Sequence, residues 1–127
     1  MKLRIKGDSI RIRLTQVEVR ELIDQGRIAE ATHFPAGPAL RYELRTEAAA
    51  VAIEARFAPG AVVETLPKGA ANGWADSEEV ALQAEIPLGD GRGALLILVE
   101  KDFPCLTKRP GEDDSDAFPR TGLSVRC

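Results

Sequence analysis

The 127 residues carry 17 Lys and Arg against 20 Asp and Glu, a formal net charge of −3 with a pI near 5.2. A chain of this length can bury a core without metal or disulfide staples, as a single domain over residues 1–127, and its acidic balance argues against a general nucleic-acid binder, which needs a basic excess to neutralise phosphates. The two cysteines, Cys105 and Cys127, show no CxxC spacing, so neither a disulfide framework nor a zinc or thioredoxin-like site is expected, and two free thiols are the reading.

Along the chain, Lys2, Leu3, Arg4, Ile5 and Lys6, then Ile10, Arg11, Ile12, Arg13 and Leu14, alternate basic with apolar at the period of a strand. Gly7-Asp8-Ser9 between them reads as a hairpin turn. A two-residue loop sets Arg4 opposite Arg11 and Lys2 opposite Arg13; a four-residue loop sets Lys6 opposite Arg11 and Arg4 opposite Arg13. In either register cations face cations, which is destabilising unless something negative answers them. An adjacent strand carrying Glu43, Glu54 or Glu85, the acidic run of Glu112, Asp113, Asp114 and Asp116, or a ligand would serve.

A helix over 16–25 is signalled next. Thr15 and Glu18 have the spacing of a capping box, Leu14 and Val19 that of a hydrophobic staple, and Gly26 supplies the left-handed stop. Val19, Leu22 and Ile23 make its buried stripe, with Arg20, Glu21 and Asp24 toward water. Strands are expected over 27–34, 40–46, 51–57 and 61–66, with Tyr42, Leu44, Val51, Ile53, Ala55 and Phe57 inward and His33 half-buried. A weak second helix starts at Pro67 and runs to Trp74. A strand through Val80, Leu82, Ala84 and Ile86 follows, then the Gly89–Gly93 loop, and Ala94 to Val99 is an unbroken apolar run that reads as a central strand covered on both sides. About 102–127 the chain lacks a period and is expected to be an irregular wrap or tail. There is no internal repeat at a solenoid period. Nor is there an apolar signal region after Met1 or an apolar run long enough to cross a bilayer, so a soluble cytoplasmic protein is expected.

The opening MKLRIKGDSIRIRLT, WADSEEV, and VEKDFPCL ahead of EDDSDAFP together resemble a family of small bacterial proteins that open with MKxRIKGxSxRxRL and carry an EKDFxC motif. The resemblance runs nearly end to end and departs from the pattern at Asp8, where Asn is commoner, and around Phe118 to Thr121. It implies no chemistry, because the family has no established activity or ligand.

Other constellations point to chemistry less directly. Cys105 with His33 and Asp102 has the residue types of a thiol dyad, and with Cys127 and a tail carboxylate those of a metal site, but the spacing fits no ligand signature and the chain has a single His. The Glu112 to Asp116 run lacks the order of an EF-hand loop. The Gly89–Gly93 loop lies between two strands, with no Lys-Ser/Thr after it, and so reads as a hairpin rather than a phosphate cradle. Glu100-Lys101-Asp102 has the residue types of a carboxylate pair for acid–base work, but it lies at an outgoing strand end, which weakens that reading.

The fold expected is α+β, a twisted, mainly antiparallel sheet or partial barrel of six to eight strands with one capped helix and a short second one. The function expected is a small binding or adaptor module that uses Lys2, Arg4, Arg11 and Arg13 to hold an anionic small molecule or an acidic protein surface, without cofactor, metal, nucleic acid or membrane. The alternative is a metal- or thiol-dependent enzyme centred on Cys105 and His33. The balance leans away from an enzyme.

Overall fold

A computed structural model describes residues 1–103 and 116–118. Within them, strands and helices follow in the order β1 (Lys2–Ile5), β2 (Ser9–Leu14), α1 (Gln16–Gln25), β3 (Arg27–Thr32), β4 (Leu40–Glu47), β5 (Glu54–Ala58), β6 (Ala61–Pro67), α2 (Lys68–Ala75), β7 (Ala81–Pro87) and β8 (Ala94–Lys101). The class is α+β, but the strands divide between two four-stranded sheets, β1-β2-β8-β7 and β3-β4-β6-β5. Each hairpin pairs antiparallel, and two hairpins join in each sheet through a parallel central contact, β2 with β8 and β4 with β6. The sheets are therefore mixed.

This order contains a repeat that side-chain identity hides. The segments β1-β2-α1-β3-β4 and β5-β6-α2-β7-β8 are two ββαββ halves, and exchanging them converts one sheet order into the other. Counting from the two N-caps, Thr15 and Pro67, Leu14 corresponds to Leu66, Ile12 to Glu64, Val19 to Ala71 and Leu22 to Trp74, and all of these are buried. Burial is kept from half to half, while residue type is kept at Leu14 and Leu66 and changes at the other three pairs.

α1 forms as its local signals require. The Thr15 hydroxyl accepts from the Glu18 N–H at 3.3 Å, the Glu18 carboxylate accepts from the Thr15 N–H at 2.9 Å, and Gly26 ends the helix at φ 78° with its N–H donated to the Leu22 carbonyl. Thr15→Ala is expected to lower stability by roughly 0.5–2 kcal/mol in urea denaturation; an unchanged midpoint would mean that the box contributes nothing. In α2, Pro67 is the last residue of β6 and the N-cap rather than the first helical residue. It offers no side-chain cap, so this glycine-containing helix depends on burying Ala71 and Trp74.

The two sheets and both helices share one core. It is built from Ile12, Leu14, Ile97 and Val99 of the first sheet, Ile28, Leu44 and Leu66 of the second, and Val19, Leu22, Ala71 and Trp74 of the helices. The Trp74 indole N–H donates to the Val80 carbonyl at 3.1 Å. Lys101 ends β8 buried, its ammonium 5.7 Å from the Trp74 ring centroid and 5.4 Å from that of Phe118, and it donates to the Ser77 carbonyl at 2.6 Å. Burial lowers its pKa against the opposing pull of Glu79 and Glu78.

Three expectations about faces need correction. Val51 is 95% exposed and lies before β5, which starts at Glu54, and Phe57 is 76% exposed, so the strand at 51–57 is shorter and its inward set smaller than the alternation implies. β5 is an edge strand, and an edge residue of inward parity can overhang the core. β3 ends at Thr32, which leaves His33 exposed in the β3–β4 connection. β8 is central in its sheet, yet Leu96 is 48% exposed, so only one of its faces is covered.

Candidate functional site

The Lys6 N–H donates to the Ser9 carbonyl at 3.0 Å, closing a two-residue loop of Gly7 and Asp8 in which Gly7 takes φ 53°. A positive φ at the first central residue alone fits a type II′ turn and suits glycine there. This turn fixes the register Lys2↔Arg13, Leu3↔Ile12, Arg4↔Arg11 and Ile5↔Ile10. Cations are thus set opposite cations, as the sequence requires.

β8 extends the same rows across the sheet, with Arg11↔Leu98 and Arg13↔Glu100, and β7 completes them with Gln83↔Leu98 and Ala81↔Glu100. In the Lys2 and Arg13 row the charges are answered. Glu100 lies 2.6 Å from the Arg13 Nε and 3.4 Å from the Arg11 Nε, and Asp102 lies 3.2 Å from the Lys2 Nζ. The answering carboxylates are therefore Glu100 and Asp102, while Glu43 and Glu54 belong to the other sheet and Glu85 makes no ion pair with the hairpin among the described residues.

In the Arg4 and Arg11 row the strand opposite is apolar. Among the described residues Arg4 and Lys6 form no ion pair, and with Ser9, Arg11, Gln83 and Leu96–Leu98 they line a groove of about 350 Å³ on the outer face of this sheet. The remaining pair of Arg11 is long and partly exposed, which makes it weak. Leu96 and Leu98 of β8 form the apolar floor. The groove thus has cations on the β1–β2 side and aliphatic surface beside them.

The corresponding face of the other sheet differs. There Glu43 occupies the position equivalent to Leu98, pairs with Arg27 at 2.5 Å, and accepts from Arg45. Burial raises the pKa of this carboxyl, but hydrogen bonding and charge from Arg45, joined by Arg27, hold it below the usual carboxylate range. The cavity of about 490 Å³ on that face is lined by Arg45, Arg56, Glu47 and Glu54, a balanced set. One outer face carries a carboxylate at its centre and the other carries leucine.

A residue that the sequence reading passed over is Glu64. It is fully buried on β6, with neither carboxylate oxygen hydrogen-bonded, and desolvation pushes its pKa up to about 8. Its signal was a charged residue at the inward parity of Val62 and Leu66.

The residues of the enzymatic alternative are not brought together among the described residues. His33 is exposed, Cys105 and Cys127 lie outside the described residues, and Asp102 is buried against Lys2. No group of three or more His, Cys, Asp and Glu among the described residues could hold a metal ion. Of the acidic run, Glu112, Asp113 and Asp114 lie outside the described residues. Asp116 caps α1, its carbonyl accepting from the Gln16 N–H at 3.1 Å and its carboxylate from the Val17 N–H at 3.3 Å. The Gly89–Gly93 loop joins β7 to β8 as a hairpin, with Asp90 and Gly91 both at positive φ.

These features define a two-sheet α+β protein whose most distinctive surface is a basic groove on one sheet face. The chain belongs to a family of unknown function, DUF7009, whose sequence profile matches residues 1–122. No curated protein matches the chain, and no solved structure matches it. No helix among the described residues is long and apolar enough to cross a membrane.

Proposed function

We propose that this protein is a small cytoplasmic binding module whose ligand is an anion held by Arg4, Lys6 and Arg11 in the groove on the outer face of the β1-β2-β8-β7 sheet. The observation that carries this reading is the contrast between neighbouring rows. Lys2 and Arg13 are met by Asp102 and Glu100, whereas Arg4 and Lys6, beside them, face Leu96 and Leu98 and meet no carboxylate among the described residues. Like charges placed across a ladder cost stability. A ligand that neutralises them recovers that cost on binding, so the free protein keeps a site at the expense of its own stability. Of the residues expected from sequence, Arg4 and Arg11 belong to the groove and Lys2 and Arg13 to the flanking paired row, while Lys6 is added.

Titration of the full chain with inorganic phosphate at low ionic strength, followed by amide chemical shifts, tests the proposal. Saturable shifts are expected at Arg4, Lys6, Ser9 and Arg11, weakening as salt shortens the screening length to about 8 Å at physiological strength. Arg4→Gln with Lys6→Gln should remove them. Shifts spread over the surface, or unchanged in the double variant, would overturn the assignment.

A further inference from the structure

The groove is polar along one direction, and that direction carries information about its ligand. All its cations come from β1, β2 and the turn between them, its floor from β8, and its far side from Gln83 of β7. One row away on β7, Glu85 is exposed and sits opposite Leu96 in the ladder. A second negative charge reaching across the sheet would meet Glu85 instead of another cation. Between the two lies Leu96, 48% exposed although it belongs to an otherwise sheet-forming apolar run.

From this polarity we infer that the ligand is a monoanion carrying an unbranched aliphatic chain, with the acid group between Arg4, Lys6 and Arg11 and the chain lying across the strands over Leu96 and Leu98 toward Gln83. The inference rests on the proposed anion site and adds the chemical class of what fills it. Strands are about 4.8 Å apart, so the path from the β1–β2 cations across β8 to β7 is about 10–15 Å, the length of a medium alkyl chain. Burying methylenes on the leucine floor supplies affinity that the exposed charges alone do not, at about three- to fourfold per fully buried methylene.

The test compares acetate, decanoate, decanol and vesicles of an anionic phospholipid by calorimetry on the full chain at low ionic strength. Decanoate is expected to bind at least tenfold more tightly than acetate and than decanol, with shifts extending to the amides of Leu96, Leu98 and Gln83. Leu96→Ser, at a position 48% exposed, should reduce the advantage of decanoate over acetate to less than threefold, with circular dichroism reading whether the variant is folded. Arg4→Glu should weaken both anions. Equal binding of acetate and decanoate would overturn the aliphatic chain while leaving the anion site standing, and decanol binding as tightly as decanoate would overturn the role of the acid group. Vesicle binding without binding of free decanoate would assign the face to a membrane surface and overturn the inference. Absence of binding by every anion, phosphate included, would overturn the proposed function itself.

Discussion

Glu64→Leu is expected to raise the stability of this protein, and to raise it more at pH 8 than at pH 5. Glu64 is fully buried with both carboxylate oxygens unpartnered, and its pKa is pushed up to about 8 from the ordinary 4.5. A raised carboxyl pKa means that the folded protein holds a proton which the unfolded chain releases. Stability contributed by that proton is fully present below about 4.5 and is lost as pH rises through the window to about 8, at up to about 1.4 kcal/mol per pH unit. Above that window the penalty is constant. Leucine has similar bulk and no polar atoms, and the equivalent position of the other half already carries Ile12. At pH 5 the gain is the removal of an unsatisfied neutral acid, about 1–3 kcal/mol, and at pH 8 it is a few kcal/mol more. Urea denaturation of both proteins at pH 5, 6.5 and 8 reads the difference directly. A gain that does not grow with pH, or a loss at pH 8, would mean that the carboxylate has a partner.

The opposite sign is expected at Trp74, the largest fully buried side chain in the structure. Trp74→Ala removes core volume beneath α2, leaves the Val80 carbonyl without its indole donor, and takes away one of the two rings over which the buried Lys101 ammonium sits. Each loss compounds the others, because a lysine held in a dry site depends on those contacts. A destabilisation of about 3–5 kcal/mol is expected, followed by circular dichroism because the variant has no tryptophan left. Trp74→Phe should cost less, since it keeps an aromatic ring and loses the hydrogen bond and part of the buried volume. A loss under about 1 kcal/mol in the alanine variant would show that α2 does not depend on this side chain for its docking.

What was legible in the sequence was what depends on neighbours along the chain. The hairpin turn at Gly7-Asp8-Ser9, the Thr15 and Glu18 box and the Gly26 stop are each set by a few consecutive residues, and the structure forms all three, choosing the shorter of the two loops the sequence left open. Strand existence was legible too, as were faces such as those of Leu44, Ile53 and Ala55, but face assignment failed where it depends on which strand lies beside which. Ala94–Val99 is apolar at every position whether one face or both are covered; only the order β2-β8-β7, with nothing described above Leu96, decides it. The same holds for Phe57, which has inward parity but sits on an edge strand. Glu100 was weighed as half of a carboxylate pair, yet its neighbour in space is Arg13, brought alongside by the parallel pairing of β2 and β8, a contact between segments far apart in sequence. The two-half architecture was hidden because the halves share burial more than residue type.

The unmet charge on the groove is tested most directly by comparing Arg4→Gln with Arg13→Gln in the free protein at low ionic strength and then in the presence of decanoate. Arg4 faces Arg11 and meets no carboxylate among the described residues, so its neutralisation should leave stability unchanged or raise it by up to about 1 kcal/mol while weakening the binding of decanoate. Arg13 is held by Glu100 at 2.6 Å, so its neutralisation should lower stability and leave the groove able to bind. If Arg4→Gln is the destabilising change and decanoate binds it as well as the parent, the charge is already satisfied within the fold and the groove is not a site.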